Sequence, residues 1–150
     1  MSLTPAQCAK VLAGAEGEIR GLILIAMTTG QRIRDIIGLN RGDVDLLKNI
    51  IHFNIAKTGV ALEMSMDPRV RVWIEQQAKS RIAAEPNPPL FPQLADRGAF
   101  GSVAFLRKLG EKVGVIVSGL SFRRTFFHEL TEKGTPISVV QELMGYRPRK

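Results

Sequence analysis

Cysteine occurs once in this sequence, at Cys8, so no disulfide can close within the chain, and nothing in its cysteine use points to secretion. Long apolar runs are missing too. The longest, Gly21 to Met27, is far too short to span a bilayer, which takes about 20 residues. No charged-then-greasy leader opens the chain. Histidine is scarce: His52 and His128 lie far apart, and no spacing pairs them with Cys8 as metal ligands. There is no glycine-rich phosphate loop, no internal repeat and no low-complexity block. Tyrosine is present once, at Tyr146. These absences lead us to expect a cytosolic chain with no tightly held metal, no cofactor and no membrane partner.

What is present is basic and foldable. At 150 residues the length suits one domain, and 45% apolar residues suffice for one core. Lys and Arg number 21 against 14 Asp and Glu, a formal charge of +7. Such a balance favours a polyanionic partner, because each neutralised phosphate releases counterions. Plain solubility charge is the alternative.

The pattern along the chain is mostly helical. Thr4-Pro5-Ala6-Gln7 reads as a capped helix start, with Val11 and Leu12 facing a core. Glu16 to Thr29 carries Ile19, Leu22, Ile23, Ala26 and Met27 at helical spacing, and Gly30 ends it. A short helix follows from about Gln31 to Leu39. Residues 50–66 alternate as a β-hairpin, with Lys57-Thr58-Gly59 at its turn. Asp67-Pro68 restarts helix, with Val70, Val72, Trp73, Ile74 and Ile82. Glu85 to Pro92 holds four prolines and is expected to be an irregular loop. Phe100 to Lys112 is a helix with Val103, Phe105, Leu106 and Leu109. Ser121 is expected to cap a helix running to Lys133, with Phe122, Phe126 and Leu130 inward. Thr135-Pro136 opens the last helix, which stops at Met144-Gly145. The fold class is therefore mainly α with a small antiparallel β-hairpin.

Two arginine clusters carry the chemistry. Arg32 and Arg34 follow Gly30, and Arg123 and Arg124 follow Ser121. Each cluster sits at a helix start, where free N–H groups and the dipole already favour an anion. A guanidinium there adds a planar fork that matches phosphate oxygens. With Lys57 on a hairpin tip, the pattern fits a site for one phosphodiester. The plainer alternative is that these arginines pair with surface carboxylates such as Asp35 and Glu129. His128 reads as a structural residue bonded to a helix neighbour, and Cys8 as buried or idle.

Thr29-Gly30-Gln31-Arg32-Ile33-Arg34-Asp35-Ile36-Ile37-Gly38-Leu39, followed by Asp43-Val44-Asp45, resembles the first conserved box of the tyrosine recombinases, the phage-integrase family. Lys57-Thr58 looks like that family's hairpin lysine. Ser121-Phe122-Arg123-Arg124-Thr125-Phe126 is similar to its second box. Val140-Gln141-Glu142-Leu143-Met144-Gly145-Tyr146 resembles the segment that follows. The likeness runs in order over about residues 4–147. It implies the family's catalytic-domain fold, with Arg32 and Arg123 clamping a scissile phosphate and Lys57 acting as general acid. It implies that Tyr146 donates a hydrogen bond to phosphate, and that Arg34, Arg124 and Arg147 touch the DNA backbone. Duplex DNA and other recombinase protomers in a synaptic assembly are the implied partners. The family's cleavage through a phosphotyrosine needs neither metal nor ATP.

The sequence departs from the family pattern. Leu120 takes the place of the second-box histidine, Asp35 that of the first-box glutamate, and Tyr146 that of a histidine or tryptophan. The family's nucleophilic tyrosine lies beyond the last box, so residues 1–150 are expected to be a catalytic domain without that segment and without the N-terminal DNA-clamping domain. Whether the chain is itself an enzyme is thereby left open. Beside a DNA-cleaving recombinase domain stand two alternatives. One is a cleavage-deficient DNA-binding form of the same fold. The other is a protein-interaction domain whose charge is incidental.

Overall fold

A computed structural model describes residues 2–79 and 86–145. Helix α1 (Pro5–Ala13) starts as its sequence dictates. Thr4 accepts from the Gln7 amide, and the Gln7 side chain accepts from the Thr4 amide, at 3.1 and 2.9 Å. Two otherwise orphaned donors are thus satisfied locally. Helix α2 (Gly17–Thr29) is buried almost all round from Gly21 to Ala26. That is the mark of a central helix rather than an amphipathic surface one. The fold is layered around it, with α1, α3 (Ile33–Ile37), α4 (Pro68–Lys79), α5 (Pro92–Val113) and α6 (Ser121–Glu132) all packed against it. A last helix, α7 (Ile137–Leu143), lies on α6 and has no buried residue.

The hairpin is joined by a third strand. A 3₁₀ turn at Arg41–Asp43 leads into β1 (Val44–Asp45), which pairs antiparallel with β2 (Ile50–Asn54), and β2 pairs with β3 (Ala61–Ser65). Opposite Phe53 stands Leu62, and opposite Ile51 stands Met64. Ile51, Phe53 and Leu62 turn to the core, while His52 and Glu63 pair on the open face at 3.3 Å. The sheet therefore has the one-sided burial expected of an antiparallel ribbon on a helical layer.

Helix α4 keeps its predicted start. Asp67 accepts from the Arg69 amide at 2.8 Å and pairs with its guanidinium at 3.1 Å. Burial alone would raise the Asp67 carboxyl, but the Arg69 hydrogen bonds and charge together hold it below its usual value. Trp73 packs so closely on α2 that a Cβ at Gly21 would stand 2.3 Å from its ring. Ile82 and Glu85 fall outside the described residues.

Several local expectations need correcting. Over its described residues the proline stretch is irregular as expected, and it also reaches the core. Leu90 and Phe91 within it are fully buried, Phe91 stacks on Trp73 at 5.1 Å, and the Leu90 amide donates to the Leu39 carbonyl at 2.9 Å. Helix α5 begins at Pro92, earlier than its apolar spacing implied, and is broken at Gly98, whose φ of 78° is left-handed. Phe105 is 37% exposed rather than in the core, and the guanidinium of Arg97 lies 5.1 Å over its ring. In α6, Phe122 and Phe127 are the buried phenylalanines, while Phe126 is half-buried.

Cys8 is 4% exposed. Burial pushes its thiol up, and the Glu129 carboxylate pushes it the same way. A thiol that ionises less readily when folded lowers stability only as the pH climbs past its unfolded value. Because thiolate is the reactive form, folded protein at pH 8 should resist an aromatic disulfide reagent that labels it at once in denaturant. Rapid stoichiometric labelling of the folded chain would contradict this burial.

Candidate phosphodiester site

The site is built where α2 ends, the hairpin turns and α7 stops. Gly30 closes α2 in the left-handed region, with φ of 68°, and its amide donates to the Ala26 carbonyl at 2.9 Å. That turn delivers Gln31 and Arg32 to the start of α3. Arg32 stands at the N-cap of α3, not inside its first turn, and makes no capping bond. Its side chain is half-buried, and its Nη1 is buried without a hydrogen-bond partner among the described residues.

One turn later, Asp35 is 7% exposed. Its Oδ1 accepts from the amide of Ala56 at 3.0 Å, and its Oδ2 is buried without a partner among the described residues. The first-box carboxylate therefore ties α3 to the residue preceding Lys57. Among the described residues, no ion pair joins Arg32 to Asp35 or Arg124 to Glu129. The described residues thus show neither of the two pairs named for the surface-pairing alternative. Lys57 itself is exposed on a tight turn, closed by the Gly59 amide on the Ile55 carbonyl at 2.7 Å and the Ile55 amide on the Val60 carbonyl at 2.8 Å.

Arg123 is 7% exposed, and its fork is engaged. Nη1 donates to the Gly30 carbonyl at 2.7 Å, Nη2 donates to the Met144 carbonyl at 3.3 Å, and the guanidinium lies 5.0 Å over the Phe127 ring. Both carbonyls belong to helix C-terminal ends, which carry partial negative charge and so favour a buried cation. The second box thus reaches the first directly. Ser121 is not the helix cap but its first residue, and its Oγ accepts from the Ser118 amide at 2.8 Å. Leu120 holds the N-cap position and is 45% exposed, with no polar atom on its side chain.

Of the other predicted residues, Arg34 and Arg124 are exposed on α3 and α6. Arg34 lines a polar hollow of about 230 Å³ with Asp35, Asn40, Asp43 and Asn54. Tyr146 and Arg147 lie outside the described residues. His128 is exposed and sits 3.8 Å from Glu132, the helix neighbour expected of it. Two polar residues that sequence reasoning passed over belong to the site. Gln31 donates to the Leu143 carbonyl at 2.7 Å, and Thr58 donates to the Gly145 carbonyl at 2.8 Å. The only sequence signal for Gln31 was a polar residue where the helix-start pattern turned apolar.

Among the described residues no helix is long and apolar enough to cross a membrane, and no group of three or more His, Cys, Asp or Glu could hold a metal ion.

A mainly helical domain whose two arginine boxes meet at one glycine, beside a hairpin lysine, has the fold of a tyrosine-recombinase catalytic domain. The chain belongs to the phage integrase family, whose model matches residues 2–149. The tyrosine recombinase XerA of Pyrococcus horikoshii is 27% identical over 151 residues, covering 97% of this chain and 52% of that protein. A crystal structure of XerA recombinase superposes with a TM-score of 0.82 at 20% identity, over 99% of this chain and 55% of that one. A lambda integrase (75–356) dimer bound to a COC′ core site gives a TM-score of 0.72 at 16% identity, over 99% and 58%. The chain spans about half the length of the relatives it matches.

Proposed function

We propose that this chain is the catalytic-domain part of a site-specific recombinase, which binds duplex DNA and holds a phosphodiester for strand cleavage and rejoining. The observation that carries this reading is the direct bond from Arg123 to Gly30, two residues before Arg32. It brings the two arginine boxes to one place. Asp35 ties the Lys57 turn to the same place through Ala56. The Nη1 of Arg32, without a partner among the described residues, is the kind of donor an anionic oxygen satisfies. On this reading Arg32 and Arg123 stabilise charge that builds on the non-bridging oxygens. Lys57, exposed and on a turn, protonates the leaving oxygen. Tyr146 donates to the same phosphate, while Arg34, Arg124 and Arg147 follow the backbone. The nucleophilic tyrosine comes from a segment after the last box. DNA and further recombinase protomers are the partners, and the work is done in the cytoplasm, on the nucleoid.

Duplex binding followed by fluorescence anisotropy tests the reading. Affinity should fall on the order of a hundredfold or more between 50 and 200 mM salt if several phosphates are neutralised. Arg32→Ala should weaken binding by about 1–3 kcal/mol and lower the salt slope by about one. Absence of binding at low salt would leave the protein-interaction alternative. A nicked suicide duplex separates the rest. With a chain extended through the tyrosine segment, a covalent adduct marks a cleaving enzyme, whereas binding without an adduct marks the cleavage-deficient form that Leu120, with no donor, would explain.

A further inference from the structure

The end of α7 is held by side chains rather than by a core. A helix leaves its last carbonyls without intrahelical partners. Here the carbonyls of the last residue and the C-cap, and that of Gly145 just beyond, are taken by three different segments. Gln31 Nε2 donates to Leu143 at 2.7 Å, Arg123 Nη2 to Met144 at 3.3 Å, and Thr58 Oγ1 to Gly145 at 2.8 Å. Gly145 is buried against Ile55, where an added Cβ would stand 2.8 Å away. Because α7 itself has no buried residue, these polar grips carry an outsized share of its attachment.

Gln31 is the telling member. It is 1% exposed. Its Oε1 is buried without a partner among the described residues, which opposes folding. The amide cannot be turned over to relieve this. Nε2 faces only acceptors, namely the Thr29 carbonyl at 3.2 Å, the Met64 sulfur at 3.5 Å and the Leu143 carbonyl. Gln31 is therefore poorly explained by stability, and its one long-range hydrogen bond to backbone reaches the end of α7.

We infer that Gln31 is a positioning residue. With Thr58 and Arg123 it clamps the Leu143–Gly145 carbonyls, so that the chain leaves Gly145 at a fixed place beside the Arg123 guanidinium and the turn that carries Lys57. The phosphodiester reading supplies the purpose of that placement, while the clamp itself is testable without it. Since Arg123 serves both the clamp and the proposed phosphate, DNA binding should tighten the hold on α7, and the linkage is reciprocal.

The experiment is residue-resolved hydrogen exchange on the whole chain, with Gln31→Met to remove the donor at nearly constant volume. Exchange at Val140, Met144 and Gly145 should quicken about tenfold, while Ile23 and Ile25 in α2 stay as they were and the unfolding midpoint is unchanged or raised. Thr58→Val, on a half-buried turn, should quicken the same α7 amides and keeps the test valid if Gln31→Met does not fold. Unchanged α7 exchange in the folded variants overturns the inference. So does equal quickening in α2 and α7 with a lowered midpoint, which marks a purely structural residue. A duplex of generic sequence should slow α7 exchange in the unaltered chain and less so in Gln31→Met. If the unaltered chain binds no duplex, the recombinase reading falls, while the exchange without DNA still decides the clamp.

Discussion

Replacing Gly30 with alanine is expected to destabilise the protein by about 3–4 kcal/mol, because two costs add at one atom. The residue sits at φ of 68°, where an L side chain is strained by roughly 1–2 kcal/mol. The new Cβ would also stand 2.3 Å from Phe126 Cδ1 and 3.0 Å from Phe127 Cε2. Both rings are held edge to face at 5.1 Å, and Phe127 also lies under Arg123, so neither moves alone. Relief would have to come from shifting the turn, which carries the carbonyl that Arg123 holds. Urea unfolding at fixed pH measures the loss. A change below about 1 kcal/mol would mean the turn relaxes without effort, and the close packing argued here would be wrong.

Arg123→Ala is expected to cost about as much, roughly 3–5 kcal/mol, from a different source. The substitution removes charge-assisted bonds to the Gly30 and Met144 carbonyls and leaves one acceptor buried and the other part-buried. At about 2–4 °C per kcal/mol for a chain of this size, the melting midpoint should fall by roughly 6–20 °C. Arg123→Lys should recover less than half of this, because an ammonium cannot span two carbonyls with a planar fork. Duplex affinity measured well below the midpoint should fall as well in the alanine variant. Full thermal stability in Arg123→Ala would show that the bridge between the boxes is incidental, and the site would lose its central joint.

The sequence-based reading succeeded where the physics is local. Thr4 and Gln7 are three residues apart, and their reciprocal cap forms as predicted. Gly30 could be recognised because a helix ending in glycine needs a left-handed turn. The hairpin alternation placed Lys57 at a turn, since strand period and turn chemistry agreed there. The arginines themselves were legible through motif order, though their partners were not. Nothing near Arg123 in sequence says that it will seek a carbonyl 93 residues away, and nothing near Gln31 says it will reach 112 residues to Leu143. Leu90 and Phe91 were hidden for a related reason. Four surrounding prolines mark an irregular backbone correctly, but irregular backbone can still bury two large side chains when Trp73 offers a ring to stack on. Strand β1 was missed because two residues are too few to show a period.

The distances along the chain at which the site closes have a consequence for how it comes into being. The bonds that assemble it span 87, 93 and 112 residues, and Leu3 is tied to Thr125 across 122. Contacts of that separation must overcome a large loop-closure entropy before they return any stability, so they form late. Helices α1 to α3 and the hairpin can gather early around local contacts. The first arginine box is then present but has no partner until α6 arrives. On a ribosome, where the chain emerges from its N-terminus, that wait lasts until α6 has been synthesised. A nascent chain therefore carries its positive charge long before Arg123 reaches Gly30, and that joint appears in one late step with the docking of α6 and α7.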